Sequence, residues 1–148
     1  MNDLLLKIAE HEIGTKEIPG VKNNPRILHY AARSGLNWVK NDETSWCGIF
    51  MGFCIAEIPE CMRNFDYPTT KAATARQWLN AGIPVPEGKK RPGDIVVFWR
   101  ESKSSWKGHV AIYIREDENN IYCLGGNQRN SVSIQPYTKK RLLGIRRL

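Results

Sequence analysis

Cys47 stands where the polar stretch D-E-T-S-W, 42 to 46, gives way to the apolar run G-I-F-M-G-F, 48 to 53. Thr44 and Ser45 are both good N-cap residues, so the pattern predicts a helix that begins here with Cys47 in its first turn. Ile49, Phe50, Met51, Phe53 and Ile55 leave that helix little polar face, as in one buried on all sides. A thiol in a first turn lies beside unpaired backbone N–H groups and the positive end of the helix dipole, which favour the thiolate, the form that attacks carbonyls. The competing assignment is packing, because free cysteine behaves as a small hydrophobe and is among the most buried residue types. What separates the two is whether a histidine and a third, orienting group reach the same place.

His109 opens an apolar stretch directly after Gly108, and the sheet face there is expected to pack on the Cys47 helix. If the loop from Glu116 to Asn120 closes a hairpin centred on Glu118, His109 stands opposite Asn127 on one face. These types have the roles that amide cleavage by a thiol requires. Cys47 is the nucleophile, His109 the base that takes its proton and returns one to the leaving amine, and Asn127 the group that holds the imidazole. The Cys47 backbone N–H is a donor for the oxyanion, and Gln128 is a candidate second donor. Alternatively, His109 is a strand histidine satisfied by a carbonyl, and Asn127 a turn residue that tolerates left-handed backbone after Gly125 and Gly126. Trp46 either lines the cleft or packs under the sheet. Glu17, Asp42 and Glu43 are acids near the proposed cleft, placed to meet a substrate amino group or simply solvated.

The elements that must position these residues change character along the chain. Asn2 or Asp3 caps a first helix carrying Leu4, Leu5, Ile8, Ala9 and Ile13, and Asn24 with Pro25 starts a second that ends near Gly35. Beyond the Cys47 helix, Thr69 or Thr70 caps another helix, with Ala72, Ala75, Trp78 and Leu79 facing inward before Gly82. Residues 83 to 92, with three prolines, read as a surface connection. From Pro92 the period becomes that of strands, at 95–99, 109–114, 121–124, 131–134 and 142–145. Links this short predict antiparallel pairing of neighbours, hence an α+β layout of N-terminal helices packed on a C-terminal antiparallel sheet.

The 148 residues, 41% of them hydrophobic, suit a single domain over 1–148 with its own core. The first residues are too interrupted by charge for a signal peptide, and no apolar run approaches a membrane span, so synthesis in the cytoplasm is expected. Cys47 and Cys54 lie roughly 10 Å apart on the proposed helix, beyond disulfide range. With no C-x-x-C pair among the four cysteines, no metal site is expected. Cys54 and Cys123 read as core, and Cys61 is undetermined. A net charge of +7 favours an anionic partner: nucleic acid, an acidic membrane surface or an envelope polymer. The basic residues are scattered and no nucleic-acid fold signature accompanies them, so no specific nucleic acid is expected.

Four segments, taken in order, resemble the papain-like peptidoglycan hydrolases of the CHAP and NlpC type, small phage and bacterial members in particular. They are S-W-C-G-I-F at 45–50, P-G-D-I-V-V-F at 92–98, G-H-V-A-I-Y at 108–113 and L-G-G-N-Q at 124–128. Looser similarity at K-E-I-P-G, 16–20, and around the Trp78 helix extends the resemblance over most of the chain. It implies a papain-like fold and a thiol amidase or endopeptidase acting on the peptide part of bacterial peptidoglycan, with Cys47 and His109 as the catalytic pair and no cofactor. It also implies a phage lysin or an antibacterial effector, the latter with an immunity protein as partner, that acts at the cell wall after release or export; no dimerisation element is visible in the sequence, so a monomer is expected. CHAP domains often carry a glutamate two residues before the asparagine. Here that position is Gly125, so the third role falls to Asn127 alone. Asp94, a marker of the family, reads as structural, fixing the turn into its strand. A wall-binding module without catalysis, a basic nucleic-acid-binding domain and a thiol acyltransferase on the same scaffold are the other classes open at this level.

Overall fold

The computed structural model describes every residue of the chain except 21, 41, 43, 44 and 69–72. Glu43, Thr44, Thr69, Thr70 and Ala72, named above as an acid, caps or an inward position, therefore lie outside the described residues. Three α-helices precede the sheet: α1 (Asn2–Glu10), α2 (Pro25–Arg33) and α3 (Cys47–Ala56). The strands are β1 (Ile83–Pro84), β2 (Ile95–Trp99), β3 (Gly108–Glu116), β4 (Asn120–Gly125), β5 (Ser133–Thr138) and β6 (Leu142–Arg147). The class is α+β, as the change of period predicts, with one six-stranded antiparallel sheet.

Local chemistry accounts for some helix starts and not others. Pro25 and the Asn24 side chain, which accepts from the Arg26 N–H at 2.8 Å, start α2 as expected. The cap of α1 is Met1, without a side-chain bond; Asn2 instead donates its amide N–H to Asp94 at 2.7 Å. The cap of α3 is Trp46, again without a side-chain bond, which corrects the assignment of that role to Ser45. The expected helix around Trp78 is a 3-10 stretch, Ala75–Asn80, stopped by an extended Ala81 and by Gly82 at φ 43°.

Strands β2 to β5 form the meander that short links require. β6 departs from it, returning to pair with β2 so that the order is β1-β6-β2-β3-β4-β5. The connection at 83–92 holds β1, an exposed two-residue edge strand on β6, where Pro84 does no harm. Alternation along β2 and β3 divides two cores: Ile95, Val97, Val110 and Ile112 face the helices, while Val96, Phe98, Ala111 and Tyr113 face the other way. On the helical side nearly all of α3 is buried, and Tyr30 packs on Phe53 and Phe50 with ring centroids 4.6 and 5.3 Å away. Each such pair contributes about 1 kcal/mol beyond its buried area.

On the opposite side, Phe98 of β2 stacks on Tyr137 of β5 with centroids 5.0 Å apart. Two strands intervene, and a flat sheet would hold those rings about 14 Å apart. The sheet therefore curls into a trough around its second core. His109 has the strand parity of Ala111, and its ring stacks on Tyr137 at 4.6 Å. It looks into the trough, whereas its neighbours Val110 and Ile112 meet the helices, which corrects the expectation that its own face packs on α3.

Asp94 has the structural place read from the sequence. Fully buried, it accepts from the Arg91 N–H at 2.8 Å and from Arg147 Nε and Nη2 at 2.8 and 2.7 Å. It thereby ties the turn before β2 to β6 and α1. Asp94→Ala is expected to destabilise the fold by about 3 kcal/mol, because it strands a guanidinium and two N–H donors. Urea unfolding checks this: the midpoint should fall at unchanged slope, and a loss below about 1 kcal/mol would show that the fold does not lean on the anchor.

Candidate functional site

The site forms where β3 and β4 part. Their ladder runs Ile112↔Leu124 and Tyr113↔Cys123, then slips at a bulge to Arg115↔Tyr122 and Glu116↔Ile121. The first two pairs are symmetric about Glu118, the register that the hairpin predicts. β4 ends at Gly125, however, and the chain crosses the start of α3. A Cβ on Gly126 would lie 2.5 Å from the Phe50 Cβ and 2.7 Å from the Trp46 ring, so only glycine fits.

Beyond it Asn127, Arg129 and Asn130 all have positive φ, 55°, 55° and 58°. Arg129 and Asn130 are the central pair of a turn closed by Gln128 N–H to Ser131 O at 2.9 Å and Ser131 N–H to Gln128 O at 3.3 Å. Positive φ at both makes it type I′, the turn that suits strand twist. Asn127 thus has the left-handed backbone of the alternative reading, and the residue turned inward is Gln128, 1% exposed.

Gln128 occupies the position opposite the imidazole that sequence reasoning assigned to Asn127. Its Oε1 lies 2.9 Å from His109 Nε2. Its amide nitrogen donates to Cys123 O at 3.2 Å and also to Ser133 O. Two carbonyl acceptors on one end assign that end as NH2 and the other as oxygen, so His109 must carry its hydrogen on Nε2. Nδ1 is then the nitrogen left for the thiol. With both N–H groups taken, Gln128 is not an oxyanion donor, and that expectation is corrected too.

Cys47 is the first residue of α3 and 2% exposed, His109 4%. The groups that favour its thiolate are the His109 side chain, the Val110 backbone N–H and the Ser45 side chain. Burial acts most strongly on it and pushes its pKa up. The His109 hydrogen bond and charge, then the Val110 and Ser45 bonds, outweigh burial and bring it to about 7. The other buried cysteines behave oppositely: desolvation holds Cys54 and Cys123 well above the ordinary thiol range. All four cysteines are free and Cys61 is exposed.

Two cavities flank the pair. One of about 580 Å³ is lined by His109, Tyr137, Asn127, Arg100, Arg129 and Arg141, with Glu17 on its wall. The other, about 230 Å³, is lined by Cys47, Ala73, Ala75, Trp106 and Gly108. Ser45 borders both.

Trp46 lines neither. It is buried, and its indole N–H donates to Glu17 Oε1 at 2.6 Å, so the packing role replaces the cleft role. Asp42 is buried as well, accepting the Ile18 and Asn24 N–H groups at 3.1 and 2.8 Å. Sequence reasoning missed Tyr137 and the arginines of the larger cavity, which arrive from β5, the turn and the β2 and β6 ends without a local pattern.

Among the described residues no group of three or more His, Cys, Asp or Glu is placed to hold a metal ion, and no helix is long and apolar enough to cross a membrane. A scan against protein-family models gives no match, and a search of curated proteins gives none either.

The cysteine chemistry is open to direct titration. Peptide-resolved alkylation by iodoacetamide should give Cys47 a rate midpoint near pH 7, rising with pH because the thiolate reacts. His109→Ala should move that midpoint above the ordinary thiol value of about 8.5, since burial then acts with less opposition. A midpoint unmoved by the substitution would mean that His109 does not set the state of the thiol.

Proposed function

We propose that this chain is a cysteine amidohydrolase or peptidase of the papain-like type, similar to the CHAP and NlpC peptidoglycan hydrolases. It cleaves an amide bond in the peptide part of bacterial peptidoglycan. The observation that carries this reading is a thiol at a helix start drawn down to about 7 by a histidine whose far nitrogen is held by Gln128. A packing cysteine gains nothing from such partners, as Cys54 and Cys123 illustrate.

In this mechanism His109 Nδ1 takes the Cys47 proton, and the thiolate attacks the scissile carbonyl carbon. The oxyanion forms beside the Cys47 backbone N–H, which as the first N–H of α3 has no intrahelical acceptor. As the tetrahedral adduct collapses, the imidazolium returns its proton to the leaving nitrogen. Water then attacks the thioester, with His109 again as base, and releases the acid. Gln128 acts through the ring: by accepting from Nε2–H it keeps Nδ1 free for the thiol. Asn127 lines the cavity without this role.

The reading extends to a phage lysin or antibacterial effector that works as a monomer at the cell wall, with an immunity protein as partner in the second case. The net charge of +7 would draw it to an anionic envelope.

Digestion of purified sacculi, with fragments identified by mass spectrometry, tests the reading: wild type should release peptide fragments and Cys47→Ala none. Gln128→Ala should lower kcat about tenfold to a hundredfold, because the ring loses its fixed tautomer. Asn127→Ala should stay within about threefold. Equal release by wild type and Cys47→Ala would remove the hydrolase reading, and a larger loss at Asn127 than at Gln128 would reverse their roles.

A further inference from the structure

The two cavities beside the cysteine differ in charge, and the direction of proton transfer says which part of a substrate each one takes. This argument rests on the amide-cleaving reading. The group that protonates a leaving amine must stand on the leaving side of the scissile bond. His109 lines the larger cavity and Cys47 the smaller, with Ser45 between them. The amine fragment therefore leaves into the larger cavity, and the acyl fragment, bonded to sulfur, stays against the smaller one.

Three arginines line the amine side, Arg100, Arg129 and Arg141. Elsewhere Arg26, Arg33, Arg76, Arg146 and Arg147 each bond a carboxylate or a backbone carbonyl. Among the described residues the side chains of Arg100 and Arg129 make no hydrogen bond or ion pair; Arg91 and Arg115 share that state, and what sets the first two apart is that they line one cavity. Arg141 has only the face of Trp99, 5.1 Å from its guanidinium carbon. Among the described residues the acid that lines this cavity is Glu17, which already accepts the Trp46 indole N–H.

On the acyl side Lys107 pairs with Glu101 at 2.5 Å. Arg100 borders this cavity as well. Its lining also includes Ala73, Thr74, Ala75 and Trp106, the last 73% exposed. Unpaired guanidinium groups converging on one cavity match a carboxylate, which they can grip with two parallel hydrogen bonds.

We propose that the fragment leaving as the amine carries at least one free carboxylate, bound by Arg129 and Arg141 with Arg100 at the boundary. The acyl fragment is the uncharged one and lies along Trp106. The specificity is thus for acidic stem peptides whose carboxylates lie beyond the scissile nitrogen.

The test uses disaccharide-pentapeptides whose stem carboxylates are free and the same muropeptides with those carboxylates amidated, titrated into the Cys47→Ala protein. Amidation should weaken binding about tenfold or more. Arg129→Gln and Arg141→Gln in that background should abolish the difference while leaving the amidated ligand within about twofold. Equal binding of the two ligands, or equal loss of both in the arginine variants, overturns the subsite. Hydrolysis by wild type is a separate readout. If no product forms although amidation still weakens binding, the amide-cleaving reading fails and the anion site stands. Cleavage indifferent to amidation leaves that reading and removes the subsite. Products in which every free carboxylate remains on the acyl fragment overturn the assigned direction.

Discussion

Gln128 puts both N–H groups of its side-chain amide on backbone carbonyls, Cys123 of β4 and Ser133 of β5, and this leaves its oxygen for His109. The rest of the site depends on that arrangement. Turning the amide over would set its oxygen against two carbonyls and leave Nε2–H facing a donor, a loss of about 1–3 kcal/mol for each buried group left unpaired. The backbone of Gln128 is also held, its carbonyl accepting the hydroxyls of Ser131 and Ser133 at 2.9 and 3.1 Å. The tautomer of the ring is therefore set by the pairing of two strands, at no expense in mobile side chains.

The balance at the thiol follows from the same burial. Desolvation alone would keep Cys47 protonated, as it does Cys54 and Cys123. It also removes the water that would screen the thiol from His109, so the opposing interaction strengthens where it is needed. Tyr137, stacked on the imidazole and backed by Phe98, closes the other face of the ring. A neutral orienter suits this setting: a thiolate and an imidazolium together carry no net charge, whereas a carboxylate in the place of Gln128 would have to be buried uncompensated.

Much of this was legible in the residues. The Asn24-Pro25 start of α2 and strand β2 follow from local chemistry and period, because those signals are carried by neighbours in sequence. The hairpin register was legible too, correct at Ile112↔Leu124. It failed nearer the turn, where a bulge shifts the pairs to Arg115↔Tyr122 and Glu116↔Ile121, and again past Gly125, where two glycines and a positive φ at Asn127 end the alternation on which it relied. The glycine pair was the available signal, since a strand that meets one is prone to stop. The return of β6 to β2 had no such signal: it joins residues about fifty positions apart, and no short link enforces it. The trough was equally hidden, for curling shows only in contacts such as Phe98 with Tyr137.

The type I′ turn has a consequence for how such a site can change over generations. Its two tip residues, Arg129 and Asn130, are exposed and line the cavity, while Gln128, one residue earlier, is buried against the imidazole. Any pair that accepts positive φ closes the same turn. Drift at the tip can therefore alter the charge that faces the cavity from one generation to the next while the buried amide keeps its bonds to the two strands.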